Sequence, residues 1–500
     1  MQDIFTEEFK PKRIIDNPSE EKLREWSLDQ GGIITEFGNL SVVTQIRNRI
    51  AKFTEVVVGD FDDEEDKQLV HQVMDYLRTK EMIRLDRVMC QTAGFTRNCR
   101  LYVTADYPRL PLMWGNTLFP PNGGEPDFTA ITVPEWPEKK VLVFPESGMT
   151  LILGSDYKGE NKKAMLRQVM YWAKKGGNLG LHAASKIIRV SRNGQLRDFG
   201  FLLFGLSGTG KTSLSCHSHW LRHPERVVIR QDDVVILRPD GSAIGTEESF
   251  YLKTDGLESA AQPLLYAAAI SPRAILENVW VEPETGKVDF FNATLTSNGR
   301  GMVKRRDIAF TDGEIDLARV DYIIFITRRQ DIMPPVVWLN AEWAAAAFML
   351  GESVETSAGD PTQAGKSLRV VGTNPFIVGS EEEEGNLFLR ILRRNPGMQC
   401  FIINTGKVGG ADAGQKITVY DSVKILEMIA RDRIAWRKDD FWGYEVPVEI
   451  PGVDLGRFEL SHYYPEEQTA QFAAALKRER LEWLGKFPGL DRDVVKALKP

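Results

Sequence analysis

Helical and strand-like patterns of apolar residues alternate through the first third of the chain. Residues 66–77 repeat apolar positions at helical spacing, while 56–58 and 100–104 are short runs typical of β-strands. Two more strands are predicted at 141–144 and 150–153. This alternation indicates a mixed α/β structure rather than a helical bundle.

A longer helix is predicted over residues 160–175. Met165, Val169 and Trp172 have the spacing of one helix face, and Gly176 and Gly177 follow at the end. From residue 179 onward the pattern changes to successive strands. The domain boundary is therefore expected between residues 180 and 200.

The predicted strands after residue 179 come in pairs. Residues 181–190 and 199–204 flank a hairpin signal at 192–195, and 227–229 and 234–237 flank two aspartates. We place an N-terminal lobe at residues 1–190 and a C-terminal lobe at 191–500, with a lid insertion around 350–385.

Two later segments have the marks of ordinary helices. Ser380 precedes four glutamates, 381–384, and a serine cap with acids in the first turn is a helix-start pattern. We prefer this interpretation to an acidic cation site. From Pro465 onward the chain is expected to form a packing helix with Phe472, Leu476 and Leu484 facing inward.

Composition excludes several classes of protein. Hydrophobic residues make up 42% and charged residues 27% of the 500 positions, close to ordinary globular usage. A net charge of −7 argues against a nucleic-acid-coating protein. The longest apolar runs fall well short of the roughly 20 residues that a membrane helix needs.

The four cysteines are too scattered for a disulfide framework, which fits a reducing compartment. The first ten residues lack the basic and apolar segments of a signal peptide. We therefore expect a soluble cytoplasmic protein without a nucleic-acid or membrane partner, as a monomer or small homo-oligomer.

A phosphate-binding loop follows the apolar run 199–204. It matches G-x-x-x-x-G-K-[ST] in its expected context, with a strand before and a helix after. The glycines allow backbone N–H groups to converge on phosphate oxygens, the lysine supplies a cation, and the threonine hydroxyl can bind Mg²⁺. The loop consists of Gly205, Leu206, Ser207, Gly208, Thr209, Gly210, Lys211 and Thr212.

Asp232 and Asp233 lie at the end of the predicted strand 227–229, about twenty residues after the loop. A nucleotide-bound metal requires an acid on a neighbouring strand. An isolated aspartate pair is more often a turn or a cap, so the interpretation depends on the loop.

Three polar residues upstream of the loop have more than one explanation. Lys162 and Lys163 stand near a helix start, where the helix dipole disfavours cations, so an anionic ligand is one reason and a solvated face is the other. His182 interrupts an apolar strand and is either a core histidine or a ligand.

Cys216, His217 and His219, just after the loop, suggest a zinc site, but they lack a second ligand pair at zinc-finger spacing.

In their order along the chain, these segments resemble the ATP-dependent phosphoenolpyruvate carboxykinases. Tyr157-x-Gly-Glu-x-Lys-Lys-x-Met resembles the family's Trp-Tyr-x-Gly-Glu-Met-Lys-Lys-Gly-Met, and Leu181-His-Ala-Ala-Ser its Met-His-Cys-Ser-Ala. The loop is nearly the family's kinase loop. Further similar segments begin at Asp232, Tyr251, Leu276, Thr296, Met333 and Asn404.

The resemblance implies two α/β lobes, with a mononucleotide-binding P-loop lobe at the C-terminal side. It implies an enzyme that removes CO₂ from oxaloacetate and transfers the γ-phosphoryl group of ATP to give phosphoenolpyruvate, in gluconeogenesis or the reverse carboxylation. Lys163, His182 and Asp233 would hold Mn²⁺, for which Lys163 must be neutral. Lys211 and Thr212 would hold ATP·Mg²⁺, with Asp232 in support.

The resemblance assigns further roles. Arg300 would neutralise the transferred phosphoryl group, and Tyr157 would contact the substrate. The remaining nucleotide-binding positions implied by the resemblance are Glu247, Glu277, Lys416 and Ser422.

Several family motifs are altered in this chain. The N-terminal Gly-Arg-Ser-Pro-Lys-Asp-Lys motif, which supplies an arginine for the substrate, is missing, and Arg49 is our candidate to replace it. Lys416 replaces an arginine near the nucleotide, Ser422 a threonine and Lys407 a tryptophan. The lid region at 358–360 lacks the family's Thr-Glu-x-Gly. An arginine-to-lysine exchange loses bidentate recognition.

Because these changes concern the acid substrate more than the phosphate donor, two other functions stay open. One is a kinase of the same superfamily that acts on another small molecule or on a protein serine. The other is a nucleotide-binding regulatory protein without turnover.

Overall fold

The structure, a computed structural model, describes residues 7–46, 51–206, 208–354 and 367–499. Its strands are, in chain order, β1 (Arg13–Asp16), β2 (Ile33–Ile34), β3 (Leu40–Val42), β4 (Thr54–Val56), β5 (Glu81–Met89), β6 (Arg97–Thr104), β7 (Phe128–Val133), β8 (Lys140–Phe144), β9 (Met149–Leu153), β10 (Leu179–Leu181), β11 (Ala183–Arg192), β12 (Gln195–Gly205), β13 (Arg226–Gln231), β14 (Val235–Leu237), β15 (Ala243–Gly245), β16 (Ser249–Lys253), β17 (Ile275–Glu277), β18 (Trp280–Val281), β19 (Val288–Asp289), β20 (Arg300–Lys304), β21 (Tyr322–Thr327), β22 (Val336–Leu339), β23 (Glu352–Val354), β24 (Ser367–Arg369), β25 (Gln399–Asn404), β26 (Lys407–Val408), β27 (Gln415–Lys416), β28 (Ala435–Lys438) and β29 (Glu445–Glu449).

The α-helices are α1 (Glu20–Asp29), α2 (Glu64–Leu77), α3 (Arg109–Gly115), α4 (Lys158–Lys175), α5 (Lys211–Ser215), α6 (Pro263–Ala269), α7 (Ala341–Leu350), α8 (Glu381–Arg394), α9 (Val419–Arg431), α10 (Glu466–Leu484) and α11 (Arg492–Lys496). Together with the several sheets, they confirm the mixed α/β class. In the described part of the chain, no helix has both the length and the hydropathy needed to cross a bilayer.

The chain forms two compact units, each built from two segments. Unit 1 contains residues 1–172 and 246–309, and unit 2 contains 173–245 and 310–500. These units differ from the continuous lobes 1–190 and 191–500 that the sequence predicts. The reason is long-range strand pairing, because β17 pairs in parallel with β3 and thereby joins residues 246–309 to the N-terminal segment.

Unit 1 contains two main sheets. The first has the order β1-β5-β6-β7-β9-β8-β4, and α2 packs its apolar residues Val70, Val73, Met74 and Leu77 onto a core with Leu142 and Leu151. The second has the order β16-β20-β17-β3-β2. The predicted strands at 100–104, 141–144 and 150–153 are confirmed, each within a slightly longer or equal strand.

Helix α4 confirms the helix predicted over 160–175 and begins two residues earlier. Its end matches the expectation, since Gly177 has φ of +74°, a conformation that favours glycine after a helix. All of its residues up to Met170 are buried, so α4 is an interior helix of the protein.

Unit 2 is built on a sheet of order β13-β11-β12-β21-β25-β22-β29-β28. Strands β11 and β12 form the predicted hairpin, with Asn193 and Gly194 at φ of +52° and +77°, as a two-residue turn requires. Strand β12 then pairs in parallel with β21, and β21 with β25. In parallel sheets ligands bind beyond the carboxyl ends of strands, which is where the loop 205–212 begins.

Two helices of unit 2, α8 and α10, test further predictions from the sequence. Helix α8 begins as expected, because the Ser380 side chain accepts a hydrogen bond from the N–H of Glu383. In α10, Leu476 and Leu484 are buried as predicted, but Phe472 is exposed, so its inward assignment is wrong. It contacts the ring of Tyr464 instead.

The predicted lid around 350–385 is described only in part. Strands β23 and β24 lie within it and pair with each other. Residues 355–366, which include 358–360, lie outside the described residues, as do Ser207 and Arg49.

Candidate functional site

The predicted phosphate-binding loop connects the end of β12 to α5 in unit 2. Gly210 caps α5 with φ of +98°, a left-handed conformation that a side chain would disfavour. Gly205 is required for a different reason, since an added Cβ would lie 2.5 Å from Oγ1 of Thr209. The strand–loop–helix arrangement inferred from the motif is therefore present.

Hydrogen bonds to the loop backbone fix its shape. The Thr209 hydroxyl donates to the carbonyl of Leu206 at 2.7 Å, and the Thr405 hydroxyl donates to the carbonyl of Thr209 at 2.7 Å. Arg328 donates to the carbonyl of Gly208 at 2.6 Å. With these carbonyls bound from outside, the loop can present its N–H groups to an anion.

His182, Lys211 and Asp233 meet beside the loop, all within unit 2. Nε2 of His182 lies 3.0 Å from Oδ1 of Asp233. Nζ of Lys211 lies 3.1 Å from Nε2 of His182 and 3.5 Å from Oδ1 of Asp233. The structure thus brings together three residues that the sequence placed 51 positions apart at most.

The protonation of His182 follows from its surroundings. Nδ1 lies 2.6 Å from the carbonyl of Thr373, which can only accept, so the ring proton belongs on Nδ1. Burial and the charge of Lys211 lower the pKa of His182 below its usual value, although Asp233 opposes this shift. A neutral ring with a free Nε2 lone pair therefore faces a carboxylate oxygen.

Two lone-pair atoms 3.0 Å apart need positive charge between or beside them, and Lys211 supplies it here. An imidazole nitrogen and a carboxylate oxygen are also suitable ligands for Mn²⁺. A metal-binding histidine usually donates its other ring N–H to a carbonyl or carboxylate, as His182 does to Thr373. The arrangement fits a divalent cation.

The acidic and hydroxyl partners of this site have unequal exposure. Asp232 is buried, whereas Asp233 is only partly covered. Thr212 lies in the first turn of α5 and is half-buried. Among the residues that the structure describes, no group of three or more His, Cys, Asp or Glu side chains could hold a metal ion.

In unit 1, the predicted lysines lie on α4 and are buried, which rules out a solvated helix face. Lys162 forms an ion pair of 3.0 Å with Glu247, and Lys163 forms one of 2.7 Å with Glu160. Lys163 is 9% exposed and Glu160 1%. Glu247, predicted at the nucleotide, therefore contacts a lysine of α4, and its role in nucleotide binding stays a prediction.

Tyr157, immediately before α4, belongs to a polar cluster on the second sheet of unit 1. Its hydroxyl accepts a hydrogen bond of 3.3 Å from Asn298, which also accepts one of 2.8 Å from Arg300. The guanidinium of Arg300 lies 5.5 Å from the ring centre of Tyr251. The predicted substrate residue and phosphoryl residue thus share one partner, Asn298.

Glu277 lies beneath this cluster and is completely buried. It accepts hydrogen bonds from the N–H of Lys158 at 3.1 Å and from the hydroxyl of Tyr251. Burial raises the pKa of Glu277 above its usual value. Its predicted role at the nucleotide stays a prediction, as do those of Lys416 and Ser422.

Lys416 and Ser422 lie in unit 2. Lys416 is exposed in β27, and the Ser422 hydroxyl donates to the carbonyl of Thr418 in the first turn of α9. Both are near the start of α9, where Thr418 and Asp421 form a capping box.

The zinc interpretation of residues 216–219 fails on the partners of the histidines. Nε2 of His219 lies 2.7 Å from Nζ of the fully buried Lys186, and Nδ1 of His217 accepts from the N–H of His219. Lys186 also donates to the carbonyl of Leu214 in α5 at 2.6 Å. These side chains support the end of α5 rather than converge on one point.

Sequence reasoning gave no role to Asn298, Tyr251, Lys186 or Thr373. Asn298 lies within a segment that was noted only for Arg300, and Tyr251 within one noted only as a family resemblance. Lys186 did carry a signal, because a lysine in the apolar run 181–190 requires a buried partner. The Thr373 carbonyl carried none, since a backbone contact has no residue-type signature.

Comparison with known proteins gives one consistent result. A family model described as phosphoenolpyruvate carboxykinase, in the ATP form, matches residues 12–455. A phosphoenolpyruvate carboxykinase (ATP) of Aeropyrum pernix is 35% identical over 480 residues, covering 95% of this chain and 94% of the relative. Proteins of the same name are 29% identical in Shouchella clausii, covering 76% and 72%, and 29% identical in Rubrobacter xylanophilus, covering 66% and 63%.

Proposed function

Because this chain belongs to the ATP-dependent phosphoenolpyruvate carboxykinase family, we propose that it converts oxaloacetate and ATP to phosphoenolpyruvate, CO₂ and ADP. The observation that carries the proposal is the position of Lys211. This lysine of the phosphate loop lies within 3.5 Å of both His182 and Asp233. Phosphate binding by a kinase loop does not require an imidazole and a carboxylate beside the loop lysine.

The phosphate donor is bound by the loop. N–H groups of residues 208–212 and the Lys211 ammonium hold the β- and γ-phosphates of ATP, and Thr212 provides a hydroxyl for its Mg²⁺. Asp232, directly after β13, would support this metal. In-line transfer then requires mainly position and charge neutralisation, which these groups supply.

His182 and Asp233, both in unit 2, are the residues that would hold Mn²⁺. When bound, this ion supplies a Lewis acid that favours the enolate form of the substrate. The chain contributes a fixed imidazole tautomer through Thr373 and a carboxylate held beside it. The family resemblance adds Lys163, which would bind a metal only as a neutral amine.

Tyr157 and Arg300 act on the acid substrate and the transferred group. The Asn298 side chain orients both groups, because its amide N–H donates to the Tyr157 hydroxyl and its amide oxygen accepts from the Arg300 guanidinium. Arg300 keeps its charge at any physiological pH and can therefore neutralise the phosphoryl oxygens during transfer.

We further propose a cytoplasmic enzyme, monomeric or a small homo-oligomer, that works in gluconeogenesis or in the reverse carboxylation. The second candidate is a kinase for another small molecule or a protein serine. The missing N-terminal arginine motif favours it, because that motif holds the acid in the family.

An acceptor comparison tests the proposal. Purified protein is given ATP, Mg²⁺ and Mn²⁺ with oxaloacetate, pyruvate, glycerate or a serine-containing peptide, and ADP and phosphoenolpyruvate are measured. We expect ADP formation only with oxaloacetate, with equal phosphoenolpyruvate. ADP formed with another acceptor, and none with oxaloacetate, would establish the second candidate.

A further inference from the structure

Asp156 lies at a junction of unit 1 that no family motif explains. It is 2% exposed and stands between β9 and α4, immediately before Tyr157. Three donors converge on its carboxylate: the N–H of Gln45 at 2.9 Å, the N–H of Ile46 at 2.8 Å and Nη2 of Arg109 at 2.5 Å. A buried carboxylate with this many donors is held rigidly.

Among the residues that the structure describes, Arg109 forms an ion pair with this carboxylate. The Arg109 side chain is 12% exposed, and its guanidinium lies 5.2 Å from the ring centre of Tyr107. Removing Asp156 would leave a largely buried guanidinium without its counter-ion, which is costly. The Asp156–Arg109 pair therefore stabilises a single arrangement of the segment 44–46.

A second set of contacts connects the same two segments through residues 277 and 278. The N–H of Thr44 donates to Oδ1 of Asn278 at 2.8 Å, and Asn278 donates its own N–H to Val42 at 2.9 Å. The adjacent Glu277 accepts from the N–H of Lys158. The exit of β3 is thus tied to the start of α4 on both sides of Tyr157.

Two departures from the family pattern meet at this junction. Asp156 stands where the similar family segment begins with tryptophan, and residues 44–46 begin the region that lacks the arginine motif. In this chain the two altered segments are bonded to each other directly.

We infer that Asp156 is a positioning residue for the dicarboxylate substrate, with Arg109 as its counter-ion. It acts through Gln45 and Ile46, whose backbone N–H groups it binds, and through its chain neighbour Tyr157. The inference rests on the proposed function, since Tyr157 is the residue assigned to the substrate. It predicts a defect for the acid substrate and none for ATP.

Asp156→Asn keeps the size of the side chain but replaces one acceptor with a donor and removes the charge. We expect KM for oxaloacetate to rise roughly tenfold to a hundredfold, with KM for ATP within about twofold of wild type. Arg109→Gln should change the same KM in the same direction. Asp127→Asn is the matched control, because Asp127 also accepts a backbone N–H and pairs with an arginine in unit 1.

Calorimetric titration of oxalate, a dicarboxylate probe, into wild type and Asp156→Asn gives a second readout that does not require turnover. A larger Kd for oxalate in the variant, with unchanged ATP binding, supports the inference. This result holds even if wild type forms no phosphoenolpyruvate and the proposed function fails. Equal oxalate Kd values overturn it. So does a fall in Tm with parallel losses for oxalate and ATP, because that result describes a merely structural residue.

Discussion

Nε2 of His182 and Oδ1 of Asp233 lie 3.0 Å apart, although neither atom carries a proton when the histidine is neutral. The Thr373 carbonyl fixes the ring proton on the opposite nitrogen. The pair is held together by positive charge, from Lys211 in the free protein and from a divalent cation in the proposed reaction.

Asp233→Asn should therefore weaken metal binding. Loss of one anionic ligand is expected to raise the Mn²⁺ concentration for half-maximal activity by about tenfold or more. The measurement is an Mn²⁺ titration of turnover at fixed Mg²⁺ and ATP. Asp198→Asn, at an exposed aspartate paired with Arg189, should leave the titration unchanged, and a normal curve for Asp233→Asn would remove Asp233 from the metal site.

Lys163→Met tests the third ligand that the resemblance implies. The variant should retain ATP binding and lose the Mn²⁺ dependence of turnover. Lys67→Met is a close control, because Lys67 pairs with Glu64 at 2.7 Å and i,i+3 spacing, as Lys163 does with Glu160. An Mn²⁺ titration of Lys163→Met that overlays the control would assign the ion to other residues.

Lys211→Met should abolish turnover with ATP. Loss of the loop cation is expected to cost about 3–5 kcal/mol of transition-state stabilisation, measured as the change in kcat/KM. Lys477→Met, at a partly exposed lysine of α10 beside Phe441, should match wild type. Substantial turnover by Lys211→Met would contradict the assignment of the phosphate site.

Gly210→Ala and Gly205→Ala should both weaken ATP binding, for different reasons. At Gly210 an added Cβ meets no atom within 4 Å, so the cost is the left-handed backbone alone, about 1–2 kcal/mol. At Gly205 the Cβ would displace the Thr209 hydroxyl. Gly397→Ala, where Cβ also has open space, is the control in ATP titrations, and equal Kd values for all three would refute the loop geometry.

Lys186 should make stability depend on pH. Burial lowers the pKa of Lys186 from 10.5 to about 7. Between these values the unfolded chain binds a proton that the folded chain does not, so the free energy of unfolding rises with pH. The expected increase from pH 7 to pH 9 is on the order of 2 kcal/mol.

Urea denaturation of wild type and Lys186→Met at both pH values isolates this contribution, because other titrating groups are common to the two proteins. The increase should be smaller in the variant by that amount. The same pH dependence in both proteins would show that Lys186 folds in its charged form.

Local patterns predicted the local parts of this structure. The turn at Asn193 and Gly194, the Ser380 cap and the glycine-rich loop depend on backbone conformations that particular residue types favour. The contact of His182 with Asp233 was also foreseen, although only through the order of family motifs and not from spacing.

Long-range pairing could not be predicted in the same way. Thr44 and Asn278 are 234 positions apart in the sequence and form a hydrogen bond in the fold. Contacts of this kind group residues 246–309 with unit 1, and the sequence alone does not reveal them. The burial of Lys162 and Lys163 could not be predicted either. It depends on ion pairs with Glu247 and Glu160, and the sequence pattern does not reveal these pairs. Phe472 was misplaced because helical spacing does not reveal which face of α10 is covered.

Single-turnover transfer from [γ-³²P]ATP tests the central claim most directly. With enzyme in excess and oxaloacetate, Mg²⁺ and Mn²⁺ present, the label should appear in phosphoenolpyruvate, with one CO₂ released per labelled product. Label in inorganic phosphate alone, or in a product formed without CO₂, would contradict a carboxykinase.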